Sequence, residues 1–122
     1  MIDRHLKESL RLAASHYPVV TLVGPRQSGK TTLVRSVFPD KPYANLESPD
    51  VRAFAHEDPR GFLGQYPDGA ILDEFQRAPD LLSYLQGIVD VDDTCGRFIL
   101  SGSQHFLMMR DVSQSSIKTS AL

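Results

Sequence analysis

Gly24-Pro25-Arg26-Gln27-Ser28-Gly29-Lys30-Thr31 sets two glycines, a lysine and a hydroxyl at the GxxxxGK[ST] spacing of the phosphate-binding P-loop. Each residue type has a physical reason to be there. A loop that wraps an anion with its own N–H groups needs backbone angles that glycine allows, and the helix that follows adds the positive end of its dipole. Lys30 is expected to reach the β- and γ-phosphates, Thr31 to offer its hydroxyl to Mg²⁺, and Gly24 to Thr32, including Pro25, Arg26, Gln27, Ser28, Gly29 and Thr32, to line the nucleotide. Farther along, Ile71-Leu72-Asp73-Glu74 is an apolar run ending in paired carboxylates. Asp73 suits the Mg²⁺ hydration shell, and Glu74 suits the orientation or deprotonation of an attacking water, which favours hydrolysis over mere binding. Ser101, Ser103 and Gln104 close a later apolar run, where one of them can sense the γ-phosphate. Ordinary turn chemistry explains the serines equally well.

These segments need strands and helices to carry them. Ile2, Leu6, Leu10, Ala13, Ala14 and Tyr17 recur at helical spacing and predict an amphipathic helix stopped by Pro18. Val19 to Val23 is a β-branched run without polar alternation, as a strand covered on both faces requires. Leu33, Val34, Val37 and Phe38 then predict a helix up to Pro39, so the loop lies between strand and helix. Tyr43 to Leu46 is a weaker strand, followed by a helix over 50–57, a turn at Asp58-Pro59-Arg60-Gly61 and a short helical turn carrying Phe62, Leu63 and Tyr66. Ala70 to Leu72 is a strand, and Pro79 opens a helix whose stripe is Leu81, Leu82, Leu85, Ile88 and Val89. Arg97 to Leu100 is a further buried strand. Alternating strands and helices predict an α/β fold in three layers, a mainly parallel sheet flanked by helices, with its ligands at the carboxyl ends of the strands.

Composition narrows the partners. With 13 Lys+Arg against 15 Asp+Glu in 122 residues the formal charge is −2, which argues against a basic nucleic-acid coat protein. Hydrophobic residues at 41% and charged at 23% are ordinary for one soluble domain. A lone cysteine, Cys95, and an N-terminus without an apolar core predict a reducing, cytoplasmic setting, and no run is long enough to insert in a membrane. His5, His16, His56 and His105 lack metal-ligand spacing; Arg26, Arg77 and Arg110 are each candidates for phosphate contact, but free solvated arginines are commoner and only Arg26, inside the loop, is favoured.

With both motifs placed, the chain resembles the AAA-type P-loop ATPase domain at the N-terminus of many uncharacterised bacterial and archaeal ATP-binding proteins. The resemblance runs through Val20 to Lys30 (VTLVGPRQSGK), Leu46 to Asp50 (LESPD), Leu72 to Pro79 (LDEFQRAP) and Arg97 to Gln104 (RFILSGSQ). It implies ATP and Mg²⁺ as cofactors, Lys30 and Thr31 as phosphate and magnesium residues, Asp73 as the magnesium carboxylate, and Glu74 as the water activator. Ser103 and Gln104 fall in the segment similar to the sensor strand. It also implies a nucleotide-binding domain over 1–110 and, because Ser115 to Leu122 departs from the family's usual glycine-arginine pair and apolar strand, an atypical or frayed tail over 111–122. The sheet is therefore expected to lack its last core strand through truncation, leaving Val19 to Val23 as an exposed edge open to self-association or a partner strand. ATP hydrolysis is the leading expectation. A non-hydrolysing, nucleotide-dependent interaction module or inactive fragment is the alternative; a small-molecule kinase is disfavoured by the Asp-Glu pair.

Overall fold

The computed structural model of the chain describes residues 4–24 and 29–102, and the backbone of 115–118. Its centre is a five-stranded sheet of β1 (Val19–Val23), β2 (Tyr43–Asn45), β3 (Ala70–Asp73), β4 (Phe98–Gly102) and β5 (Ser115–Lys118). The spatial order is β2-β3-β4-β1-β5 and every pairing is parallel. All carboxyl ends therefore lie along one rim. Val19 pairs with Phe98 and Ala70 with Phe98, so β1, β3 and β4 begin level, and Asp73 and Ser101 arrive at that rim together.

Side chains that alternate across the strands supply two cores. Val19, Val23, Ala70, Leu72, Phe98 and Leu100 face α3 (Pro49–Glu57), α4 (Pro59–Gly64) and α5 (Leu81–Val91). Val20, Leu22, Ile71 and Ile99 face α1 (Arg4–His16) and α2 (Lys30–Val37), where Leu10, Ala13, Leu33 and Val34 are buried. This is the expected three-layer α/β arrangement. Phe62 lies wholly in the first core, edge-on to Phe54 and Tyr66 with both ring centroids 5.7 Å away. Burying such a side chain stabilises the fold by about 1.5–3 kcal/mol.

Two local readings change. Asp58-Pro59-Arg60-Gly61, expected to be a turn, is the first turn of α4: the Asp58 carboxylate accepts the Gly61 N–H at 3.0 Å, and Pro59 supplies a preset helical φ. Pro79 lies just before α5, in a turn closed by Leu81 N–H to the Ala78 carbonyl and Leu82 N–H to the Pro79 carbonyl.

The larger correction is at the sheet edge. Val19 to Val23 is not left open, because Ser115–Lys118, expected within the frayed tail, runs beside it in the register Val20 to Ser115 through Val23 to Lys118. A strand of this kind is held by main-chain hydrogen bonds to the neighbour's vacant donors and acceptors, so it needs no apolar pattern of its own. The open edge that motivated docking of a partner strand is absent.

Candidate nucleotide site

The site is assembled where four strands and one helix converge. Gly24 follows β1 and its N–H donates to the Gly102 carbonyl at 3.2 Å, extending the β1–β4 ladder to the rim. Pro25, Arg26, Gln27, Ser28, Ser103 and Gln104 lie outside the described residues, as do His105 and Arg110. Gly29 reappears as the N-cap of α2 with φ +86°, a left-handed conformation that a side chain disfavours. Lys30 opens the helix and is buried, with 4% of its surface exposed. An ammonium so enclosed is stable only beside acceptors or an anion. Thr31 is half-buried, whereas Thr32 is exposed.

Asp73 is the hub. Its Oδ2 accepts the Thr31 hydroxyl at 2.7 Å and the Tyr43 hydroxyl at 2.6 Å; its Oδ1 accepts the Ser101 hydroxyl at 2.7 Å and the Glu74 N–H at 2.9 Å. An ionised carboxylate offers about four acceptor positions, and all are engaged, which explains how Asp73 tolerates 3% exposure. Burial is the main reason the Tyr43 phenol is pushed well above its ordinary pKa, with the hydrogen bond to Asp73 adding to it. Of the three polar candidates at the end of β4, Ser101 is the one among the described residues that reaches the carboxylate.

Glu74 leaves β3 with φ 55° and ψ 46°, the one non-glycine among the described residues with positive φ. Such a conformation costs about 1–3 kcal/mol and persists where neighbours enforce it. Here they do: Asp73 holds the Glu74 N–H from one side, and fully buried Phe75 anchors a single turn of 3-10 helix, Phe75–Arg77, from the other. Gln76 Nε2 donates to Glu74 Oε1 at 2.7 Å, fixing the direction of the carboxylate. Neither Tyr43 nor Gln76 was singled out by the sequence motifs. Arg77 points elsewhere, 3.5 Å from Glu47 in a partly exposed ion pair.

The donor set can be tested against Mg²⁺. That ion prefers oxygen, uses one or two protein ligands and keeps several waters. Thr31 donates its proton to Asp73 and so keeps oxygen lone pairs for a cation, while Asp73 supplies charge behind it. No group of three or more His, Cys, Asp or Glu side chains among the described residues could form an all-protein cage. The residues fit Mg²⁺ held chiefly by phosphate oxygens and water.

At the opposite end of the sheet, a cavity of about 730 Å³ opens between α4, α5 and the start of β4. Leu63, Tyr66, Tyr84, Ile88, Val91 and Phe98 are among the residues that line it.

A parallel sheet whose first strand runs into a glycine loop and whose third delivers a buried aspartate to the loop's helix is the arrangement of P-loop ATPase domains. The chain belongs to the AAA domain family, which matches residues 16–119. Family and fold together support nucleotide binding.

Two relatives, uncharacterised proteins of Mycobacterium bovis and Mycobacterium tuberculosis, are each 40% identical over 95 residues, or 77% of this chain. The match spans 22% of their length. Similar folds occur in a DNA replication initiation factor (TM-score 0.61, 15% identity, 95% of this chain and 44% of that one) and in a Walker-type ATPase of Pyrococcus abyssi (TM-score 0.60, 17% identity, 100% and 54%). Among the described residues, no helix is long and apolar enough to cross a membrane.

Proposed function

We propose that this domain binds ATP with Mg²⁺ and hydrolyses it. The observation that carries the reading is the 2.7 Å hydrogen bond between Thr31, on the helix after the glycine loop, and Asp73, with Glu74 held in a strained conformation beside it. In this reading the loop from Gly24 to Thr32 wraps the phosphates, and buried Lys30 places its ammonium against the β- and γ-phosphate oxygens. Thr31 and Asp73 hold the cation, which when bound neutralises charge on the phosphates. Glu74 follows Asp73 directly at the end of β3, and its carboxylate accepts a hydrogen bond from Gln76; it takes a proton from, or orients, the water aligned on the γ-phosphate. Gln76 keeps that carboxylate from swinging into solvent. Ser101 contributes through Asp73; a γ-phosphate contact by Ser103 belongs to the same proposal.

Glu74→Gln tests it. The variant is expected to bind ATP within about twofold of the parent and to lose turnover by about 100- to 1,000-fold, read as phosphate release. Undiminished turnover would remove Glu74 from the mechanism, and phosphate transfer to a nucleoside or metabolite would replace hydrolysis with a kinase reaction.

A further inference from the structure

The phosphate and magnesium chemistry of the loop explains Lys30, Thr31 and Asp73, but it does not call for a phenol on Asp73 Oδ2. Tyr43 reaches that oxygen from β2, the edge strand paired directly with β3. A phenylalanine would fill the same half-buried space against the α1–α2 core. The other three donors on Asp73 are fixed by the framework: a main-chain N–H, a buried serine on β4, and the hydroxyl of the helix that carries the loop. Tyr43 is the donor that comes from the edge strand, and it is half-buried. Its ring is clamped by Arg35, whose guanidinium lies 4.4 Å from the ring centroid. Arg35 is one turn beyond Thr31 on α2, so both residues share a face of that helix and both engage the tyrosine–aspartate pair. The result is a closed circuit, Thr31 to Asp73 to Tyr43 to Arg35 and back along α2.

We propose that Tyr43 is a positioning residue for the divalent cation, holding Asp73 Oδ2 beside Thr31 and adding a phenolic oxygen to the acceptors available to the cation's water shell. The chemistry follows from the hydroxyl's dual capacity: it donates to the carboxylate and keeps lone pairs that can accept from water, which an N–H donor cannot do. Locking the carboxylate beforehand removes the ordering cost that cation binding otherwise carries, and outer partners of a metal ligand commonly control affinity in this way. This inference rests on the nucleotide reading above.

The test separates nucleotide affinity from cation affinity. Binding of a fluorescent ATP analogue is followed by anisotropy, first in EDTA and then across a Mg²⁺ titration, for the parent chain, Tyr43→Phe and Arg35→Ala. Tyr43→Phe should match the parent in EDTA within about twofold and need about tenfold more Mg²⁺ for the half-maximal gain. Arg35→Ala, which keeps the hydroxyl but loses the clamp, should need about two- to fivefold more. Equal or lower Mg²⁺ midpoints in Tyr43→Phe would overturn the proposal alone, as would an equal loss of affinity in EDTA. If Tyr43→Phe does not fold by circular dichroism, the Arg35→Ala midpoint decides, and an unchanged value there overturns the proposal. Absence of nucleotide binding by the parent in either condition would overturn the nucleotide reading and this one with it.

Discussion

The two ends of the sheet solve opposite problems with the same strands. β4 begins at Phe98, in the wall of an apolar cavity, and three residues later presents Ser101 to a buried carboxylate. At the carboxyl rim, four hydrogen bonds converge on Asp73, a lysine is buried, and Gly29 and Glu74 both have positive φ. At the amino end, Gly69 has φ +96°, and its backbone lies so close to the Arg97 carbonyl that any side chain would collide. Positive φ at the amino rim goes with close backbone packing, and at the carboxyl rim it includes a strained glutamate beside a buried aspartate. The contrast teaches that the framework and the reactive residues are separable along each strand, so substitutions at the two ends should report on different observables.

The largest expected effect lies at the amino end. Phe98→Ala removes a fully buried ring shared by the core and the cavity wall and should cost about 3–5 kcal/mol in chemical denaturation, with nucleotide affinity of the folded fraction within about twofold of the parent. Lys30→Ala comes next: nucleotide affinity should fall about 100-fold, equivalent to about 2.7 kcal/mol, in the same anisotropy titration. A stability loss in Lys30→Ala as large as that of Phe98→Ala would break the comparison, because the loop would then belong to the framework. Smallest is Tyr84→Ala, which loses the Arg60 guanidinium 5.8 Å from its ring centroid on the cavity rim. A thermal melt should show about 0.5–1 kcal/mol, and an altered nucleotide affinity would mean that the two ends communicate.

Most of the fold was legible because its signals are local. Val19 to Val23 and Phe98 to Leu100 are apolar runs without alternation, as doubly covered strands must be, and Pro18 and Pro39 stop the helices before them or after the loop. β5 was not legible: Ser115-Ser116-Ile117-Lys118 has neither run nor period, and its place is set by the edge of β1. The same divide separates the site residues. Lys30, Thr31, Asp73 and Glu74 announce themselves by motif, but the link from Tyr43 to Asp73 spans 30 residues and two strands. Nothing near Tyr43 in the chain marks its hydroxyl for that carboxylate. Ser101 stood beside Ser103 and Gln104 as an equal candidate because resolving them requires the strand register, which brings Leu100 opposite Leu72 and so Ser101 to the end of β3.

The strand order also governs how the chain can reach this structure during synthesis. β1 is made before either of its neighbours, because β4 and β5 both come after residue 97. At translation speeds of about 5–20 residues per second, Val19 to Val23 waits on the order of 4–16 s with neither edge paired. Because Gly24 follows directly on that strand, the candidate nucleotide site is translated in part well before the strands that complete it. A nascent chain therefore presents a bare apolar strand long before it can hold a nucleotide, and that interval is when capture by a chaperone or by another nascent copy has its best opportunity.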